Sequence, residues 1–92
     1  MQDINEIRRV TRAQRVQFIN IELDLAITFV TIAFEGGLDG EKTERNQRYA
    51  RMAYGSATRL LKNTDLSPAE ASEIESKLHR IKAAWQGIDN AA

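Results

Sequence analysis

The residue types that most often carry out catalysis are nearly absent from this chain of 92 residues. It has no cysteine, which removes thiolate nucleophiles, thiolate zinc sites and disulfides. His79 is the single histidine, so a multi-histidine metal site is excluded. No serine or cysteine stands at a spacing that would pair with it as a nucleophile. We therefore predict no catalytic residue, metal site, cofactor or small-molecule substrate, and the chain is not expected to be an enzyme.

Glu22 is the acidic residue with the most unusual sequence position. On a helix it projects into the middle of an apolar arc, where an unpaired carboxylate is costly. It must therefore be ion-paired, hydrogen-bonded or protonated. The candidate partners are Arg15, an arginine of the next helix, and the hydroxyl of Tyr49 or Tyr54. The simplest interpretation is a structural ion pair, and the alternative is a ligand-binding carboxylate or an interface anchor.

Two basic clusters could bind an anionic partner, because guanidinium groups suit carboxylates and phosphates. One precedes the apolar run and comprises Arg8, Arg9, Arg12 and Arg15. For this cluster we rank an acidic helical partner first, nucleic acid second and a membrane third. The other cluster is predicted on the outer face of the second helix and comprises Arg48, Arg51, Gly55, Arg59 and Lys62. Its simpler interpretation is a solvated basic face.

Helices must position all these residues, because no segment shows strand-like alternation. The predicted helices cover about residues 3–35, 41–62 and 68–86 of a single domain, 1–92. The sequence Ser67-Pro68-Ala69-Glu70 combines an N-cap serine, a proline at the first helical position and a capping-box glutamate. Gly87 is predicted to end the third helix.

The apolar residues give each helix a face. The first helix is apolar around most of its circumference between Val16 and Phe34, apart from a predicted solvent stripe of Gln17, Asn20, Asp24, Thr28, Thr31 and Glu35. The second helix is predicted to bury Tyr49, Ala50, Ala53, Ala57, Leu60 and Leu61. The third presents a narrow seam of Ile74, Leu78, Ile81, Trp85 and Ile88. We predict an all-α fold, a three-helix antiparallel up-down-up bundle around a long first helix.

The first helix is predicted to be longer than the two that cover it. Its first turns carry Ile4, Ile7 and Val10, which continue the apolar side and would be exposed to solvent in a monomer. One interpretation is a frayed amphipathic tail. The other is an interface with a second copy or another helical protein, formed by Ile4, Ile7, Val10 and Phe18.

Composition and charge restrict the partners and the cellular location that we expect for the chain. Thirteen basic residues balance thirteen acidic ones, which argues against a dedicated nucleic-acid binder. The densest apolar run, Leu25 to Phe34, is about half the length needed to span a bilayer. The first residues lack the pattern of a signal peptide. We expect a cytoplasmic protein with no membrane span.

A helical hairpin at about residues 24–62 resembles a known repeat. Ala50, Tyr54 and Ala57 have the small–aromatic–small spacing of the second helix of a tetratricopeptide repeat. Phe29, Ile32 and Ala33 match the large–large–small set of its first helix. The chain departs from that family in its longer Gly36–Gly40 loop and in Lys62, where the family has proline. The resemblance implies a protein-interaction module.

These observations predict a non-catalytic protein–protein interaction module that self-associates through the first helix, for example as a homodimer. The alternative is a small regulatory or architectural protein that binds nucleic acid through the two arginine clusters. Salt separates the two, because nucleic-acid binding weakens steeply with ionic strength and apolar association does not.

Overall fold

The computed structural model describes the backbone of residues 4–35 and 40–91 and the side chains of residues 12–35 and 40–87. Three helices follow one another: α1, Ile4–Glu35; α2, Gly40–Leu61; and α3, Pro68–Ala91. No strand occurs within these ranges. The predicted all-α, three-helix fold with a long first helix is confirmed, and α1 is unbroken over its 32 residues.

The start of α3 is fixed by the predicted capping box. The backbone N–H of Ser67 donates to the Glu70 carboxylate at 2.9 Å, and the N–H of Glu70 donates to the Ser67 hydroxyl at 3.2 Å. Arg12 of α1 adds a salt bridge to the same carboxylate at 2.6 Å. The cap therefore also ties the start of α3 to α1.

The cap gives the fold a specific dependence on pH. The Ser67 N–H, together with Arg12, holds the pKa of Glu70 below its ordinary value of 4.5. A depressed carboxyl pKa stabilises the fold above the unfolded value, and this stabilisation is lost as the pH falls through the folded pKa. Between pH 7 and pH 3, wild type should therefore lose more unfolding free energy than Glu70→Gln, which keeps the cap without titrating. Urea unfolding at each pH measures this. An equal loss in both proteins would contradict it.

The predicted end of α3 is wrong, because the helix continues through Gly87 to Ala91. A glycine inside a helix costs only about 1 kcal/mol relative to alanine, which tertiary contacts can offset. A β-carbon at Gly87 would lie 3.1 Å from Cε2 of Phe34. The glycine therefore allows the end of α3 to lie close to the Phe34 ring of α1.

α1 is the central helix, and α2 and α3 each pack against it. The Thr43 hydroxyl near the start of α2 contacts the Ala33 carbonyl at 3.5 Å, and farther along the rings of Tyr49 and Phe29 lie 5.3 Å apart. The backbones of α2 and α3 do not approach each other closely. The Cα atoms extend over 56 × 26 × 16 Å, so the three helices form an open, shallow arrangement.

The core lies along one side of α1. Its buried residues there follow one another in alternating steps of three and four: Val16, Ile19, Leu23, Ala26, Val30 and Ala33. α2 contributes Ala50, Ala53 and Ala57, and α3 contributes Ile74 and Ile81. Small residues on α2 let its backbone lie close to α1. Leu60, Leu61, Leu78 and Trp85 are partly buried against this core, as predicted, and the side chain of Ile88 lies outside the described residues.

Two predictions about individual side chains are wrong. Tyr49 is 42% exposed, because its ring packs at a tilt against Phe29 rather than entering the core. Asn20, assigned to the solvent stripe, is half-buried and accepts a hydrogen bond from the Lys77 ammonium at 3.0 Å. Asp24 is exposed, as predicted, and forms a salt bridge with the same ammonium at 2.9 Å. Lys77 can bury its aliphatic stem against α1 while its charged end reaches these oxygens. α3 therefore lies along an edge of the polar stripe, which changes the face of α1 that is left open.

The buried Asn46 is satisfied within its own helix. Its amide donates to the Lys42 carbonyl at 2.9 Å, four residues earlier. A buried amide needs a hydrogen-bond partner, and the carbonyl one helical turn earlier supplies it.

Candidate functional site: an exposed apolar seam on α1

Among residues 12–35 of α1, four of the five exposed large apolar side chains form one line, and the fifth, Phe34, lies on another face beside Gly87 of α3. Phe18, Ile21, Leu25 and Ile32 are 43, 49, 41 and 38% exposed, and we refer to these four residues as the apolar seam. They lie on the side of α1 away from the buried core, so neither α2 nor α3 covers them. Scattered exposed apolar residues are common, but a continuous line of large ones is typical of an interaction surface.

The spacing of the seam is that of a coiled coil. Its residues occupy alternating steps of four and three along the helix, a series completed by exposed polar residues: Gln14, Phe18, Ile21, Leu25, Thr28, Ile32 and Glu35. This is the pattern with which one helix presents its residues to another along a straight contact. α1 therefore carries two such lines, one buried in the core and one facing water.

A shallow groove of about 450 Å³ borders the seam near its N-terminal end. It is lined by Gln14, Arg15, Phe18 and Leu60, so α2 contributes one wall. The lining is largely apolar, and Arg15 is its one charged residue. The surface beside Phe18 can thus receive an apolar side chain that has a carboxylate next to it.

Arg15, one of the candidate partners of Glu22, does not form a salt bridge with it. Arg15 instead donates to the Asn63 carbonyl at 3.3 Å, because two helical turns separate it from Glu22 while the end of α2 is within reach. Tyr49 and Tyr54 pack their rings on Phe29 and Trp85. Within residues 12–35 and 40–87, Glu22 has no hydrogen bond or salt bridge, although its side chain is only partly exposed. It is a carboxylate without a cation at the border of the seam.

The predicted interface residues divide into two groups. Phe18 is exposed and belongs to the seam. Ile4, Ile7 and Val10 lie in α1, but their side chains fall outside the described residues. Ile21, Leu25 and Ile32 were not among the predicted interface residues. Their four–three spacing with Phe18 was the signal that could have identified them.

The predicted basic face of α2 does not converge on one point. Arg48 and Arg51 line a groove of about 290 Å³ together with Glu44 and Gln47, which places a carboxylate among the guanidinium groups. Arg51 lies over the Trp85 ring, 5.9 Å from its centroid.

The other residues of this face are also dispersed. Arg59 donates to the Ser56 hydroxyl at 3.4 Å, and Lys62 is exposed. His79 is exposed on α3. Among the described residues, no group of three or more acidic, histidine or cysteine side chains is arranged to hold a metal ion.

Substitution of Gly55 tests whether the basic face of α2 requires a residue without a side chain at this position. A β-carbon there would meet only Nη1 of Arg59, at an ordinary 3.8 Å. Gly55→Ala should therefore raise the unfolding free energy by about 1 kcal/mol, the difference in helix propensity. Urea denaturation measures it, with the exposed Ser72→Ala on α3 as the control for a change of surface residue. A destabilised Gly55→Ala would show that the glycine is required by the fold.

Comparison with known proteins gives no relative for this chain: no family model, no curated protein and no solved structure matches it. By length and composition alone, the segment Arg12–Glu35 could cross a membrane; an 18-residue window within it has a mean hydropathy of 1.5, and 33% of that window is buried in this fold. The core helix of a water-soluble bundle has the same properties. What the geometry defines is a small helical bundle with an open coiled-coil seam on its central helix.

Proposed function

We propose that this chain is a non-catalytic interaction module that self-associates through α1. The observation that carries the proposal is the apolar seam, four large residues at coiled-coil spacing that the chain's own helices leave exposed. Covering such a line with another helix removes apolar surface from water, which is the main favourable term in protein association. A second copy presents the same spacing and is always available to the first.

Charge around the seam favours an aqueous partner over lipid. Glu22 borders the seam and Asp24 lies one turn from Ile21, and a carboxylate in hydrocarbon is costly. A protein partner can supply a cation for Glu22, whereas lipid tails cannot; Asp24 is already paired with Lys77. We accordingly retain the expectation of a cytoplasmic protein without a membrane span.

Nucleic acid is the less favoured partner. The α2 face mixes Glu44 with its arginines, and Arg51 is already held over Trp85. The chain has no net charge to attract a polyanion from a distance. The tetratricopeptide-like spacing at about residues 24–62 agrees with a role in protein interaction, and it stays a resemblance.

The test is the absolute mass of the full chain, measured by light scattering during gel filtration over a range of concentrations. Wild type should be a dimer that dissociates on dilution. Ile21→Lys places a charge in the seam and should give a monomer of unchanged helicity. Ala13→Lys adds the same charge to an exposed position of α1 off the seam and should leave the dimer intact.

Repeating the light-scattering measurement at low and moderate salt adds a second test. Apolar self-association should change little between low and moderate ionic strength, whereas contacts to nucleic acid would be lost. A wild-type chain that stays monomeric at every concentration would overturn the proposal, as would an Ile21→Lys chain that dimerises as wild type does.

A further inference from the structure

We propose that the seams of two copies pair antiparallel, in one register that places Arg15 of each subunit against the partner's Glu22. This inference rests on the proposed function, because it specifies how self-association occurs. It follows from the residues that flank the seam and from the state of the two charged groups in the single chain.

Residues beside a coiled-coil seam face one another across the interface and decide which pairing is stable. Arg15 and Glu22 occupy the same flanking position in successive heptads, each directly after a seam position. In an antiparallel pair, equal flanking positions meet. When Phe18 faces the partner's Ile21, Arg15 therefore faces the partner's Glu22. The two-fold symmetry repeats this contact on the other half of the dimer.

The neighbouring antiparallel registers bring like charges together. A shift of one heptad in one direction sets Glu22 opposite the partner's Glu22 and Asp24 opposite the partner's Asp24. A shift in the other direction sets Arg15 opposite the partner's Arg15. Like charges held in contact oppose association, so both shifts are disfavoured.

A parallel pair lacks the charge match altogether. There each seam residue faces its own counterpart, and Glu22 meets the partner's Gln17 rather than a cation. Among the arrangements of the described seam, the antiparallel one that joins Phe18 to the partner's Ile21 therefore has the best electrostatic complementarity.

The single chain leaves both charged groups ready for this contact. Glu22 is partly buried and has no partner among the described residues. Arg15 makes one described hydrogen bond, at 3.3 Å, which leaves most of its five N–H donors unused. It also stands at the edge of the apolar groove beside Phe18 and Leu60. In the proposed register, the helical turn that carries the partner's Ile21 and Glu22 reaches that groove.

Charge reversal tests the register. Arg15→Glu and Glu22→Arg each place two like-charge contacts in the homodimer and should each weaken dimerisation about tenfold or more. An equimolar mixture of the two variants restores both contacts between unlike chains and should recover dimers of wild-type affinity. The matched control is Glu75→Arg and Arg80→Glu, which make the same changes at exposed positions of α3.

Cysteine cross-linking tests the orientation, since the chain has no cysteine of its own. Gln14 faces the partner's Leu25 in the proposed register. Mixed Gln14→Cys and Leu25→Cys chains, distinguished by mass, should therefore form a disulfide between unlike chains and little between like ones. Cross-linking of each variant to itself would show a parallel pair and overturn the proposal.

The outcomes separate this inference from the proposed function. A wild-type dimer whose affinity is unaffected by either charge reversal would overturn the register and leave self-association standing. A wild-type chain that is monomeric at every concentration would overturn both.

Discussion

Leu23→Ala is expected to lower the unfolding free energy by about 2–5 kcal/mol, the range for removing a fully buried leucine side chain. Leu23 is 0% exposed and lies within the core formed with Ala53, Ile74 and Ile81. For a domain of this size, near the lower limit of what folds unaided, that loss is a large part of the total stability.

The chain supplies its own control two residues away. Leu25→Ala removes the same atoms from the same helix, but Leu25 is 41% exposed. At concentrations below the dimer dissociation constant it should change the unfolding free energy by less than about 1 kcal/mol. Urea unfolding of both variants, followed by circular dichroism, measures the contrast. Equal losses of unfolding free energy in the two variants would contradict the structure, in which Leu23 is buried and Leu25 is exposed.

The second large effect concerns the assembled protein. Leu25→Ala should raise the dimer dissociation constant by about 10- to 100-fold, because each dimer loses two apolar anchors worth about 1 kcal/mol or more each. Sedimentation equilibrium of wild type and variant measures this change. The circular dichroism spectrum of the monomeric variant should match that of monomeric wild type.

The control for that result is a truncation on α3, away from the apolar seam. Leu78→Ala removes the same atoms from a partly buried residue of α3 that packs on the core. It should lower stability with no change in dimer affinity at a concentration where the variant is folded. If Leu25→Ala dimerised as tightly as wild type, Leu25 could not be part of the interface.

The helices were predictable because their signals are local. The Ser67–Glu70 capping box and the seven-residue spacing of Ile74 and Ile81 each depend on residues within a few turns of one another. The end of α3 was not predictable in this way. Gly87 lies inside α3, close to Phe34, a residue that is distant in the sequence, and a local pattern does not contain such a contact.

The site was only partly predictable for a related reason. The apolar arc of α1 is wider than any one partner can cover, so its sequence is compatible with more than one buried face. The contact of Lys77 with Asn20 and Asp24 decides that α3 lies toward the polar side, leaving Ile21 and Leu25 open. A lysine with a 16% exposed side chain is not an expected anchor from sequence.

Glu22 shows the limit of arguments from a single chain. The sequence predicted that a carboxylate in an apolar arc must be ion-paired, hydrogen-bonded or protonated. The explanation assumed then, a partner within the same fold, is absent among the described residues. The same argument applied to two chains leads to Arg15 of a second copy.

The position of Trp85 has a practical consequence for all these measurements. It is the single tryptophan of the sequence, and its ring lies between Tyr54 of α2, at 5.0 Å, and the Arg51 guanidinium. Its indole N–H is buried and has no acceptor among residues 12–35 and 40–87, and the residue packs on the core, on the side of α1 away from the seam. Its fluorescence therefore reports the separation of α2 from α3 and not the pairing of two chains. The molecule carries an intrinsic optical probe that can follow unfolding separately from assembly.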